Sequence, residues 1–135
     1  NDYTFCNCPE LASIIIPNRV DSIGYNAFAG CEKAVCKVIP DSVKEIKQWA
    51  FDGCSSITSI TLSKNLKEVQ RYAFKGCNIQ KLLIPKSIEK IGDDAFGFCY
   101  DFYYEGTEEE WGQITISGEN DILTNATINY NYTGE

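Results

Sequence analysis

The chain of 135 residues is 44% hydrophobic and 23% charged, a balance suited to one folded domain, and its longest apolar run is the "III" of "SIIIP", too short for a membrane-spanning helix. It has no histidine, which removes Ser-His-Asp and Cys-His catalysis and the commonest metal ligand together. The net charge of −7 is uneven: residues 1–99 hold all 12 bases against 11 acids, from Tyr100 onward there are eight acids and no base, and no basic stripe for nucleic acid exists.

The chain opens on "YTFCNC", a ragged copy of a phrase that returns as "YNAFAGC", "QWAFDGC", "QRYAFKGC" and "DDAFGFC". It thus starts inside a repeat and reads as the C-terminal part of a longer protein. Phe5, Phe28, Phe51, Phe74 and Phe96 are spaced by 23, 23, 23 and 22 residues, and Cys8, Cys31, Cys54, Cys77 and Cys99 follow each by three. Further columns keep the period: Ile16, Ile39, Leu62 and Ile84; Val20, Val43, Leu66 and Ile88; Ile23, Ile46, Val69 and Ile91; Ala27, Ala50, Ala73 and Ala95. A fixed period over so many columns is the signature of a repeat array.

Each unit reads as two pieces. "ITSITLS" and "IQKLLIP" alternate apolar and polar residues, the pattern of a short, half-buried strand, ended by proline or serine. The second piece, "NLKEVQRYAFKGC", spaces Leu66, Val69, Ala73 and Phe74 like a helix face, so a turn or two of helix or a tight loop is expected, closed by Gly76. No unit can bury its apolar face alone, and stacked neighbours make one continuous core. One unit breaks the pattern: in "AVCKVIP" the column of Ile14, Ile60 and Leu82 holds Lys37, whose burial would be costly. A local slip that turns Cys36 or Val38 inward is expected, or a lysine that reaches the edge.

The segment "LASIIIPNRVDSIGYNAFAGC", residues 11–31, resembles the BspA-like, or Treponema pallidum type, class of leucine-rich repeats. The likeness covers about residues 3–99. It implies an α/β repeat solenoid: a right-handed superhelix with short parallel strands on one face and short helices or turns on the other. The repeats then occupy residues 1–99, as about four and a half units with the first truncated, and an acidic C-terminal cap occupies 100–135. The tail "YYEGTEEEWGQITISGENDILTNATINYNYTG" is similar to segments that close such arrays in gut Firmicutes.

Four jobs are open to the recurring cysteines. Adjacent strands lie about 4.8 Å apart, within reach of a disulfide, but equivalent side chains on stacked coils point the same way, and seven cysteines cannot all pair. Zinc requires four ligands converging on a tetrahedron, whereas these thiols form a line. A nucleophile requires a base that the chain does not offer. Packing remains: cysteine is a small hydrophobe whose weak S–H can meet a backbone carbonyl. Cys6 and Cys36 lie off the ladder and are the expected reactive thiols.

In the closing segment, Thr107 and Glu110 have capping-box spacing and three glutamates suit a helix N-terminus. Trp111 and Ile114 would cover the last coil, and "TINYNY" would add a final strand. A calcium site or a glycosidase carboxylate pair is the rival reading, without the ligand pattern for either. Asn125 and Asn131 sit in glycosylation-type triplets that surface strands produce incidentally.

The outward strand column is Ile15, Val38, Thr61 and Leu83, flanked by Ser13, Cys36, Ser59 and Lys81; an apolar stripe here would mark a contact surface. A second candidate is Trp49 and Tyr72, neighbours in the column before Ala-Phe. The resemblance implies a non-enzymatic adhesion or protein-interaction module of a secreted or cell-surface bacterial protein, with no cofactor. Its partner would be a protein or glycoprotein, host matrix or mucosal, met by a monomer without nucleic acid or membrane insertion. The alternative is a structural spacer or cap that displays other domains.

Overall fold

Every 22 or 23 residues the chain returns to the same corner. The amides of Phe5, Phe28, Phe51 and Phe74 donate to the carbonyls of Ala27, Ala50, Ala73 and Ala95, one coil further on, at 2.7–2.8 Å. The computed structural model describes residues 1–134. In chain order its regular elements are β1 (Ser22–Ile23), β2 (Glu45–Ile46), β3 (Glu68–Val69), β4 (Phe74–Ile84), β5 (Lys90–Ile91), β6 (Phe96–Tyr104), α1 (Glu108–Trp111), β7 (Thr115–Ile116), α2 (Asp121–Thr124) and β8 (Ile128–Asn129).

Two parallel sheets run along the stack. One has the order β1-β2-β3-β5-β7, with Ile23, Ile46, Val69, Ile91 and Ile116 in one row. The other is β4-β6-β8, and single bridges Ser13–Val35, Val38–Thr61 and Ser59–Lys81 carry it toward the chain start. The result is a parallel-strand solenoid of about five turns.

The second piece of each unit holds a two-residue strand and turns instead of a helix. Tyr3, Asn26, Trp49, Tyr72 and Asp94, all in one column, have φ between 43° and 60°, and Gly30, Gly53 and Gly76 have φ of 73–78°. Two left-handed residues per coil end any right-handed helix before it can complete a turn. The helix-like spacing of Leu66, Val69, Ala73 and Phe74 marks burial alone: all four are fully buried.

The core follows the columns. Phe5, Phe28, Phe51, Phe74 and Phe96 stack ring on ring, with centroids 5.1–5.9 Å apart and planes within 16°. Each buried ring contributes about 1.5–3 kcal/mol of transfer free energy, and each stacked pair about 0.5–1.5 kcal/mol more. Beside them, the thiols of Cys31, Cys54 and Cys77 are buried and donate to the carbonyls of Phe5, Phe28 and Phe51 at 3.1, 3.1 and 3.3 Å. Burial pushes all three thiols up, Cys54 to about 12.

The irregular unit slips by one residue. Ser13 bridges Val35, not Cys36, so Cys36 faces the core and Lys37 and Val38 both face out. The expected slip thus turns Cys36 inward, and in doing so it overturns the two other expectations made for that residue. It does not flank the outward column, and it is no open thiol: it is fully buried, and that burial raises it to about 11. Cys6, Cys8 and Cys99 are the half-buried cysteines.

After Tyr104 the chain lays one more strand on each sheet, β7 on β5 and β8 on β6. Helix α1 has the capping box: Glu110 N–H donates to Thr107 Oγ1 at 3.1 Å, and Thr107 N–H to Glu110 Oε2 at 2.8 Å. Trp111 meets the buried Tyr104 edge-on at 5.1 Å, Ile114 packs on the same core, and Leu123 of α2 is buried. Glu110 also pairs with Lys86 at 2.8 Å, which holds its carboxyl below the usual range.

Candidate functional site

Alternation along the first strand-face segment sends Ile14 and Ile16 inward and Ile15 outward. Ile15 is 88% exposed and Val38 56% exposed, and Val35, brought out by the slip, is 37% exposed. With Pro40 they line a depression of about 450 Å³. A second, of about 480 Å³, continues from Val38 to Thr61 and Lys64; a third, of about 350 Å³, runs from Thr61 and Ser59 to Lys81, Leu83 and Tyr132. Shared walls at Val38, Pro40, Thr61 and Lys64 make these one groove across the coils.

The outward column is less uniform than its sequence suggests. Ile15 and Val38 are open, Thr61 interrupts them with a hydroxyl, and Leu83 is half-buried beside Tyr132 and Gly134. Ser13, Ser59 and Lys81 stand on the same face, also exposed. Strand register continues the column from Leu83 to Tyr103 and Asn129. Lys81 Nζ donates to the Tyr132 hydroxyl at 2.7 Å and lies 4.3 and 4.5 Å from the ring centres of Tyr103 and Tyr132. Val35, Tyr103 and Tyr132 escape sequence reasoning; extending the alternation through "YDFYYEG" is the signal that finds Tyr103.

Trp49 and Tyr72 do come together, stacked at 6.0 Å with planes 22° apart. They sit half-buried at the left-handed corner that follows β2 and β3, and neither lines the strand-face groove. Arg71 and Lys75 lie over the Tyr72 ring at 4.6 and 4.7 Å, and Arg71 donates to its hydroxyl at 3.1 Å. The structure thus resolves the predicted residues into two separate surfaces.

The profile of the BspA type leucine rich repeat region matches residues 1–103, in six copies. The chain belongs to that family. Among solved structures, a leucine-rich repeat protein from Bacteroides ovatus is similar at 35% identity and a TM-score of 0.70, over 88% of this chain and 28% of its own. The T. pallidum leucine rich repeat protein is similar at 28% identity and a TM-score of 0.69, over 76% of this chain and 49% of its own. A leucine rich cell surface protein from Faecalibacterium prausnitzii is similar at 25% identity and a TM-score of 0.63, over 79% and 35%. This chain therefore spans less than half the length of each of these relatives. No curated protein matches it significantly. As a BspA type array it is a protein-interaction repeat module. Among the described residues no helix is long and apolar enough to cross a membrane.

Proposed function

We propose that this BspA type segment is a non-enzymatic adhesion or recognition module of a secreted or cell-surface bacterial protein, which grips a protein or glycoprotein ligand through the strand-face groove. Host matrix and mucosal proteins are the partner class. The observation that carries the reading is the open apolar pair Ile15 and Val38, on a face whose coils are joined by single bridges, beside a depression of about 450 Å³. Apolar side chains held out on a hydrogen-bonded scaffold are ready contacts, because little ordering is left to do on binding. The cell-surface description of the Faecalibacterium relative supports the location.

A spacer role is the second reading, favoured by Leu83, which is half-buried in a depression that the chain's own Tyr132 also lines. The two separate by binding the fragment to a panel of matrix and mucosal glycoproteins beside an Ile15→Glu, Val38→Glu variant. Retained melting temperature with at least tenfold weaker binding is the expected result. Binding unchanged in a folded variant sinks the groove, and no binding to any panel member favours the spacer.

A further inference from the structure

The groove changes chemistry along its length. Its first third is walled by Ile15, Val35 and Val38, and its last third by Lys64, Lys81 and Tyr132, with Lys37 bordering both. Lys33, Lys67 and Lys86 are ion-paired, whereas Lys37, Lys64 and Lys81 make no ion pair among the described residues. The acids nearby are already engaged in part: Glu105 accepts the Lys86 amide at 3.0 Å, Asp41 accepts the Lys64 amide at 2.8 Å, and Asp101 stands beside Lys81 in the strand register. In a chain of net charge −7, the described residues that line the last depression include three lysines and one acid, Glu105. Lys81 is also pre-set: its ammonium spends one donor on Tyr132 and keeps two for a ligand.

Resting on the groove reading above, we infer that the partner presents a short extended peptide segment, aliphatic where it crosses Ile15 and Val38 and carboxylate-bearing where it crosses Lys64 and Lys81. Three coil spacings separate Ile15 from Lys81, roughly 15 Å, the span of about five extended residues. An acidic glycan fits less well. Lys81 lies over the rings of both Tyr103 and Tyr132, which meet at a tilt of 52° with centroids 4.4 Å apart, so the ring faces toward Lys81 are already taken. The aliphatic third would also stay uncovered.

The test is an amide-resolved NMR titration of the whole chain. Its probes are a peptide of leucines followed by glutamates, a counterpart with lysines replacing the glutamates, and a sulfated uronic-acid oligosaccharide. The glutamate peptide should move the amides of Val38, Lys64 and Lys81 and bind at least tenfold tighter than the lysine peptide. That preference should shrink as salt rises and reverse in a Lys64→Glu, Lys81→Glu variant whose free spectrum remains folded. Equal binding of both peptides, with shifts confined to Ile15 and Val38, overturns this inference and leaves the interaction reading standing. Shifts produced by the oligosaccharide alone, or by neither peptide, overturn it as well.

Discussion

The corner column of phenylalanines and cysteines and the outward column of the strand face share one period and treat it in opposite ways. At the corner the same residue recurs, stacked and buried, with its thiol on a neighbouring carbonyl. On the strand face the residue changes at every coil, from Ile15 to Val38, Thr61, Leu83 and Tyr103. A position that must fit its own copy above and below is held to one shape. A position that faces outward is held to none, and is free to differ from coil to coil.

The sharpest way to break that contrast is Phe51→Ala. It opens a cavity in the middle of the ring stack and should cost about 3–5 kcal/mol in urea unfolding, whereas Phe5→Ala, at a ring 43% exposed, should cost about 1 kcal/mol. Alkaline pH should act next. Burial holds Cys54 protonated to about 12 and Cys36 to about 11, against 9.0 for an open thiol. The folded chain then keeps protons that the unfolded chain releases. Stability is complete below pH 9 and falls as pH rises through the window to 11 or 12, by about 1.4 kcal/mol per pH unit for each such thiol. Unfolding midpoints measured from pH 8 to 11 should therefore decline, and Cys54→Ala should flatten the decline.

A smaller effect belongs to the closing segment. Thr107→Ala removes the capping oxygen of α1 and should lower stability by about 1 kcal/mol, read as earlier amide exchange around Trp111. The smallest belongs to the strand face itself. Ile15→Glu with Val38→Glu should change stability by less than about 0.5 kcal/mol while weakening the proposed ligand contact at least tenfold. A large loss of stability there would erase the distinction between the two columns.

The sequence made the period, the buried columns and the thiol packing legible, because each is a demand repeated in every coil. Non-repeating features were legible only in part: Lys37 in a buried column flags the slip but leaves open whether Cys36 or Val38 turns inward. The slip that swaps Val35 for Cys36 is silent in the count: one residue is lost before Cys36 and one gained before Ile39, so the period never changes. The left-handed corner hides behind Trp49 and Tyr72, residue types that rarely adopt it, and that is why a helix looked plausible there. Tyr132 reaches Lys81 across 51 residues, beyond any periodic signal.

The bond from each buried thiol to a carbonyl 26 residues earlier has one more consequence, for how such a chain changes in length. Donor and acceptor belong to different coils, and Cys31, Cys54 and Cys77 each make this bond, whereas Cys99 turns to Asp101 of its own strand. Excision of residues 51–73 joins Ala50 to Phe74 and hands the Cys77 thiol to the Phe28 carbonyl, a junction chemically the same as the one removed. Gene duplication and loss can therefore lengthen or shorten the stack in whole coils without inventing a new contact, while a cut of any other size strands a thiol and a ring.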